Sequence, residues 1–174
     1  TSLSLGFGLL FFKNIITKIT IFHKILTVIL GYFLIPLIIS IPYYLSIYNI
    51  SLLDCYFEAI SGFTSTGFSI FENIKHLDQS LILWRSTSQW IGGIYFLFSI
   101  ILLIDIFDDK IKKSLTNFIS LNNLESFKQS IKVFILYFFL TIFIFLSLNL
   151  VDIRSFDSLN LSMTIISSGG FLPF

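Results

Sequence analysis

Charge is what this chain has least of. Asp, Glu, Lys and Arg make up 12% of its 174 residues, against roughly 25% in a typical soluble domain, too few to wet the surface of a globule of this size. The signs nearly cancel, with eleven basic residues against ten acidic ones, so no basic patch is large enough to argue for nucleic acid as a partner. Cysteine is almost absent too. The single Cys55 excludes an internal disulfide, a Cys-based zinc site and an iron–sulfur cluster in one step, which leaves packing to hold the fold. What fills the composition instead is apolar: 55% of residues are hydrophobic, 18% are aromatic and 22 are Phe, for a mean hydropathy of +0.91. This is a membrane composition. The chain opens at Thr1 and stops at Phe174, four residues after a Gly-Gly pair, and it reads as part of a longer polypeptide.

A bilayer core of roughly 30 Å needs about 20 helical residues without an unpaired charge, so the uncharged intervals carry the organisation. Residues 1–12 read as the tail of a membrane helix ending at Lys13. No charge occurs from Ile25 to Leu53, and Leu26 to Leu45 make a full span despite Pro36 and Pro42, which membrane helices tolerate. Ser86 to Ile104 and Val133 to Val151 make two more. Ala59 to Phe71 is also uncharged, but it is too short to cross and is rich in Ser, Thr and Gly. Between two spans, such a segment reads as a re-entrant loop; the alternative is an amphipathic hairpin lying at the interface.

Lys and Arg set the orientation. Lys13, Lys18 and Lys24 precede the first full span, and Lys110, Lys112, Lys113, Lys128 and Lys132 lie between the second and third; both segments are expected on the cytoplasmic side. The opposite face carries Asp54, Glu58, Glu72, Asp78, Asp152 and Asp157 with only Lys75 and Arg154. Strict alternation through the spans holds only if the 59–71 loop enters and leaves from the outside. The expected organisation is thus the end of a helix at 1–12, a first repeat with its cytoplasmic lead-in at 13–107, a cytoplasmic connection at 108–132, and the first helix and loop of a second repeat at 133–174.

The repeat appears when the chain is laid on itself with the separation of Asp54 from Asp157. Ser65 then falls on Ser168, Gly67 on Gly170, Phe68 on Phe171 and Phe71 on Phe174. Each unit reads as a membrane helix, an acidic residue, about ten helix-compatible residues and a Ser/Thr/Gly turn, and repetition around a broken element is a common plan of transporters and channels. Asp54 is the expected N-cap of the first short helix and Asp157 its counterpart, with Glu58 one turn on favouring the same positive end. A helix from Asp54 to about Phe63 is roughly 15 Å long, half the membrane. Its C-terminal pole, aimed at the bilayer centre, attracts a cation and repels an anion. The return through Thr64, Ser65, Thr66, Gly67, Phe68 and Ser69 must be non-helical, and carbonyls freed there are cation ligands. Gly67 can take the positive φ that turns a carbonyl inward.

These residues carry a resemblance. Leu53 to Phe71, LDCYFEAISGFTSTGFSIF, followed by Leu81 to Gly93, LILWRSTSQWIGG, closely resembles the first repeat of the Trk-type potassium uptake proteins, the membrane subunits of the Trk/Ktr class (the TrkH/KtrB family). Phe156 to Phe171, FDSLNLSMTIISSGGF, is similar to the start of that family's second pore repeat. The resemblance implies an all-α membrane protein of potassium-channel-like helix, re-entrant pore loop and helix repeats, four around one ion path. It further implies a multi-pass protein of the cell (inner) membrane, a homodimer when complete, working with a cytoplasmic nucleotide-binding regulatory subunit. The expected function is passage of potassium or another monovalent cation through a carbonyl-lined selectivity filter, with no reaction catalysed. The cation is the transported ligand, and no resident cofactor or further metal is expected. Thr64, Ser65, Thr66 and Gly67 are expected to give the filter carbonyls of one repeat, and Ser167, Ser168, Gly169 and Gly170 those of the other. Tyr95 departs from the family, which commonly has a small residue after the Gly-Gly pair.

Several polar residues need a role in this scheme. Arg85 is the one basic residue inside an expected span; it reads as the ion-pair partner of an acid such as Glu58, with an electrostatic gate or snorkelling to headgroups as alternatives. Gln89 and Trp90 suit bridging behind the filter, with simple packing an equal alternative for Trp90, and Gly92 and Gly93 suit close helix packing more than hinges. Cys55 has no basic neighbour to make it reactive and reads as a small packing residue. His23 and His76 fall near opposite faces and read as solvated at the interface, and Asp105, Asp108 and Asp109 beside the Lys cluster read as a solvated, charged helix end, with a regulatory-subunit contact as the alternative. A rival reading is a membrane-embedded enzyme or assembly factor with a polar site at Asp54, Glu58 and Arg85.

Overall fold

In the computed structural model, residues 21–46, 48–72, 74–103 and 123–173 are described; the expected helix tail at 1–12, the charged segment from Asp105 to Lys113 and most of the 108–132 connection lie outside them. The described residues form five α-helices: α1 (Ile21–Tyr44), α2 (Leu52–Phe63), α3 (Gln79–Leu103), α4 (Asn123–Leu150) and α5 (Ser155–Ile166), with a short 3-10 turn at Ile74–His76. No strand occurs among them. Three helices are long and apolar enough to cross a membrane: Ile21–Tyr44, Gln79–Leu103 and the Ser130–Leu150 part of α4.

The spans run past the limits set by the uncharged intervals. α1 continues through Lys24, α3 begins before Arg85 and α4 includes Lys128 and Lys132. A helix ends where its hydrogen bonding ends, not where lipid begins, so charges near its tips extend into water and Arg85 is absorbed by protein. Helix α1 is apolar on every side and keeps Pro36 and Pro42. Its buried residues, Val28, Pro36, Ile39 and Tyr43, fall at helical spacing on one stripe, whereas Phe22, Phe33 and Ile38 on other faces are exposed. That division fits a helix that packs on protein along one line and meets lipid elsewhere.

Helices α1 and α3 are antiparallel neighbours. The Tyr95 hydroxyl donates to Val28 O at 3.0 Å and Trp84 Nε1 to Ile39 O at 3.0 Å, two pairs that run in opposite directions along the chain. Tyr95 is accommodated because Gly31 faces it: a side chain at Gly31 would overlap the Tyr95 hydroxyl. Helix α3 likewise joins α4 through Trp90 Nε1 to Thr141 Oγ1 at 3.0 Å and the Tyr137 hydroxyl to Trp90 O at 3.3 Å. Trp90 therefore ties two long helices together and does not stand behind the turns.

The short helices end halfway along the long ones. Helix α2 packs by a stripe of small residues, Cys55, Ala59 and Gly62, and its last residue, Phe63, lies against Gly92 of α3 and the Tyr32 ring of α1, each near its helix midpoint. Cys55 is fully buried. Helix α5 stops at the same level, with Ser167 against Gly93. The consecutive glycines thus serve one short helix each, and both are packing positions.

The first short helix starts at Leu52 and not at Asp54. Its N-cap is Ser51, whose hydroxyl accepts from Asp54 N at 3.2 Å and donates to the Asp54 carboxylate at 2.7 Å. Asp54 sits three residues inside the cap, where a capping box places its acid, but its carboxylate accepts from the Ser51 hydroxyl and not from the Ser51 N–H. In the second copy Arg154 holds the cap position and its side chain caps no backbone N–H; its guanidinium instead donates to the Asp157 carboxylate in a two-pronged pair at 2.9 and 3.0 Å. Ser and Arg differ at the cap, but the first-turn acid is common to both. Glu58 does not serve the helix start at all.

The orientation of the bundle is testable at exposed positions. In a Cys55→Ala background, cysteines placed at His76, beside the start of α3, and at Lys128, level with its end, are expected to react with an impermeant maleimide from opposite sides of the membrane. Labelling of both from outside intact cells contradicts this topology.

Candidate functional site

The sequence repeat is also a repeat of backbone geometry. Asn49 and Asp152, equivalent under the same separation, are both left-handed, with φ of 49° and 61°. Thr64 and Ser167 cap the short helices at φ −86° in both cases, and Ser65 and Ser168 follow at φ 54° in both. Each helix closes with a Schellman-type pair of bonds: Thr66 N to Ser61 O at 2.9 Å and Ser65 N to Gly62 O at 3.0 Å, matched by Gly169 N to Thr164 O at 2.8 Å and Ser168 N to Ile165 O at 3.1 Å. Two equivalent hydroxyls then hold the returning chain, Ser61 Oγ donating to Phe68 O at 2.6 Å and Thr164 Oγ1 to Phe171 O at 3.0 Å. Neither hydroxyl was evident as a site residue, although their alignment under the repeat was a usable signal.

The two turns meet. A Cβ added at Gly67 would stand 2.5 Å from Gly170 Cα, and one added at Gly170 would stand 2.8 Å from Gly67 Cα. Gly67 also has φ +80°, whereas Gly170 is not left-handed, so close approach is the requirement they share. Beneath them lies a cavity of about 530 Å³ lined by Thr64 and Ser65 of the first turn, Ser167 and Ser168 of the second, and Tyr32, Phe63, Phe96 and Tyr137 among others. Among the described residues, none of those lining it is charged. Both short helices turn their C-terminal ends toward it, which gives the cavity a negative potential from backbone alone.

Arg85 and Glu58 form the electrostatic centre. Arg85 Nε donates to Glu58 Oε1 at 2.8 Å, with the side chains 1% and 0% exposed, which leaves no snorkelling. Arg85 Nη2 donates to Ser69 Oγ at 2.9 Å; Ser69 Oγ donates to Glu58 Oε1 at 3.1 Å, and Ile70 N to Glu58 Oε2 at 2.9 Å. Nη1 has no hydrogen-bond partner among the described residues. The guanidinium is instead covered by two rings, Phe171 at 4.2 Å and Phe71 at 5.5 Å. Through these contacts the pair fixes the chain returning from the first turn and touches the second. Asp54 is exposed at the helix start and bonded to Ser51, so Asp54, Glu58 and Arg85 do not converge on one polar site.

Gln89, one turn along α3 from Arg85, is fully buried. With its amide oriented to suit its neighbours, the oxygen accepts from Gly170 N at 3.0 Å and Phe171 N at 2.9 Å, and the nitrogen donates to Thr164 Oγ1 at 3.1 Å. Gln89 therefore reaches the second turn, and the expected filter residues of both repeats and the four supporting positions on α3 all belong to one cluster.

No family model matches the chain. It is 32% identical over 156 residues to an uncharacterized cation transporter of Methanocaldococcus jannaschii, a match that covers 85% of this chain and 32% of that protein. It is also 42% identical over 55 residues to the Trk system potassium uptake protein TrkI of Halomonas elongata, over 32% of this chain and 11% of that protein. The chain thus spans about a third of the length of the first relative and about a tenth of the second.

The buried pair sets a stability prediction. Arg85→Leu strands the Glu58 carboxylate and is expected to cost about 3–5 kcal/mol, read as a lowered unfolding midpoint in detergent; the double variant Glu58→Leu/Arg85→Leu recovers a large part of it. An Arg85→Leu midpoint equal to wild type contradicts the pairing.

Proposed function

We propose that this chain is part of a membrane subunit that passes monovalent cations, potassium first among them, through a filter of backbone carbonyls. The observation that supports this reading is the pair of geometrically equivalent half-length helices that end, at the same level, at one uncharged cavity. The arrangement disfavours an anion: backbone dipoles point their negative ends inward, and no basic side chain lines the wall among the described residues. The turns at Thr64–Gly67 and Ser167–Gly170 act as re-entrant pore loops. Their carbonyls replace part of a cation's hydration shell, and the cation moves down its electrochemical gradient. The names of the two relatives, a cation transporter and a Trk potassium uptake protein, point the same way and favour transport over catalysis.

In this reading the chain belongs to the Trk/Ktr class, with 13–107 as the first repeat, 108–132 as a cytoplasmic connection and 133–174 as the start of the second. Two loops supply half of a ring, and the remaining carbonyls come from two further repeats of the longer polypeptide. The complete protein sits in the cell membrane as a homodimer, and its cytoplasmic side receives a nucleotide-binding regulatory subunit. No resident cofactor takes part.

The test uses the longer polypeptide in a bacterial strain lacking potassium uptake, with rubidium as tracer and sodium as competitor. Wild type is expected to restore saturable, potassium-preferring uptake. Gly67→Asp, which puts a charged side chain where the two turns touch, is expected to abolish it. Gly93→Ala should lose far less, because its nearest obstacle is the movable tip of Tyr137. Wild-type selectivity in Gly67→Asp means that this turn does not line the path.

A further inference from the structure

The two turns share a backbone but are held by different chemistry. Glu58, which anchors the return of the first, is replaced at the equivalent position of α5 by Leu161, so the second turn has no acid of its own to bind Arg85. Its anchor is Gln89, a residue of the preceding repeat. Phe171 beside that anchor is 2% exposed, whereas its equivalent Phe68 is 69% exposed, and the Gly67 N–H reaches only back to Ser61 O at 3.4 Å. A second difference fits the first. Thr66 of the first turn is replaced by Gly169 in the second, and a Cβ at Gly169 would overlap the Gln89 amide. The glycine at that position is what lets Gln89 in.

We infer that Gln89 is a positioning residue that sets cation selectivity at the second turn from the first repeat. This rests on the transport reading above. No peptide bond among the described residues is cis, and in a planar trans peptide the C=O points opposite to the N–H. The Gly170 N–H shares its plane with the Gly169 carbonyl, and the Phe171 N–H with that of Gly170. Because both N–H groups are directed at the Gln89 oxygen, the Gly169 and Gly170 carbonyls are turned away from α3. The bond to Thr164 Oγ1 fixes which end of the amide faces the turn, since an amide nitrogen there would leave two N–H donors unmet. Selectivity then depends on an amide that never touches the ion.

The experiment measures potassium, rubidium and sodium uptake by the longer polypeptide carrying Gln89→Met, which keeps the volume but removes acceptor and donor, beside Gln89→Glu, Thr164→Val and Trp90→Phe. Loss of two bonds to the turn is expected to reduce potassium-over-sodium preference about tenfold in Gln89→Met. Gln89→Glu keeps an acceptor for both N–H groups and restores part of the preference. Trp90→Phe, which loses the bond from the same helix to Thr141, keeps the wild-type ratio. Should Gln89→Met fail to accumulate in the membrane, Thr164→Val is expected to lower the ratio about threefold, and an unchanged ratio there overturns the inference. A wild-type ratio in Gln89→Met overturns it as well, as does an equal loss in Trp90→Phe, which marks general packing damage. Absence of cation uptake by wild type defeats the transport reading itself, and the inference with it.

Discussion

An arginine buried among apolar helices is tolerated only when its charge and its hydrogen-bond donors are matched inside the protein, because desolvation of an unpaired guanidinium costs several kcal/mol. Arg85 meets most of that condition: Glu58 matches its charge, Nε and Nη2 bond to Glu58 and Ser69, and Nη1, without a hydrogen-bond partner among the described residues, lies in a guanidinium flanked by the Phe71 and Phe171 rings. The consequence extends beyond the pair. Glu58 also accepts from the Ile70 N–H, so one carboxylate holds both the arginine of α3 and the chain leaving the first turn. The short helix, its return and the long helix behind them are thereby fixed in one register.

The duplicated unit conserves backbone and varies side-chain chemistry. Caps, left-handed serines and hydroxyl-to-carbonyl bonds recur position by position, because a helix that stops inside an apolar bundle must satisfy its last carbonyls the same way each time. The anchors differ. The first turn is gripped by an acid on its own helix, the second by an amide from α3. Helix α3 is consequently the shared wall of both repeats, and its lower hydropathy than the other two spans reflects the polar residues on its inward face.

Much of this was legible in order along the chain. The three long helices follow from uncharged runs, and their ends were misplaced only where Lys24, Arg85 and Lys128 are carried within helices. The short helix at Ser51 was read three residues late because Asp54 is as good a cap as Ser51 on composition; the spacing Ser51-x-x-Asp54 was the available signal. The Gly-Gly pair reads as close packing, but nothing in a dipeptide says that Gly92 lies against Phe63 and Gly93 against Ser167. Tyr95, a departure from the resembled family, is matched by Gly31, a residue 64 positions earlier.

Sequence by itself determined the apolar spans, the short segments that follow the first and third of them and the repeat that relates their turns, since hydropathy, charge spacing and glycine placement are local properties read in one dimension. Tertiary structure decided which polar group meets which. Arg85 and Gln89 lie one turn apart on the same face of α3 and look alike as buried polar residues, yet one binds the first turn and the other the second. That choice follows from where α2 and α5 come to rest against α3, and no pattern along the chain records the relative placement of helices separated by a hundred residues.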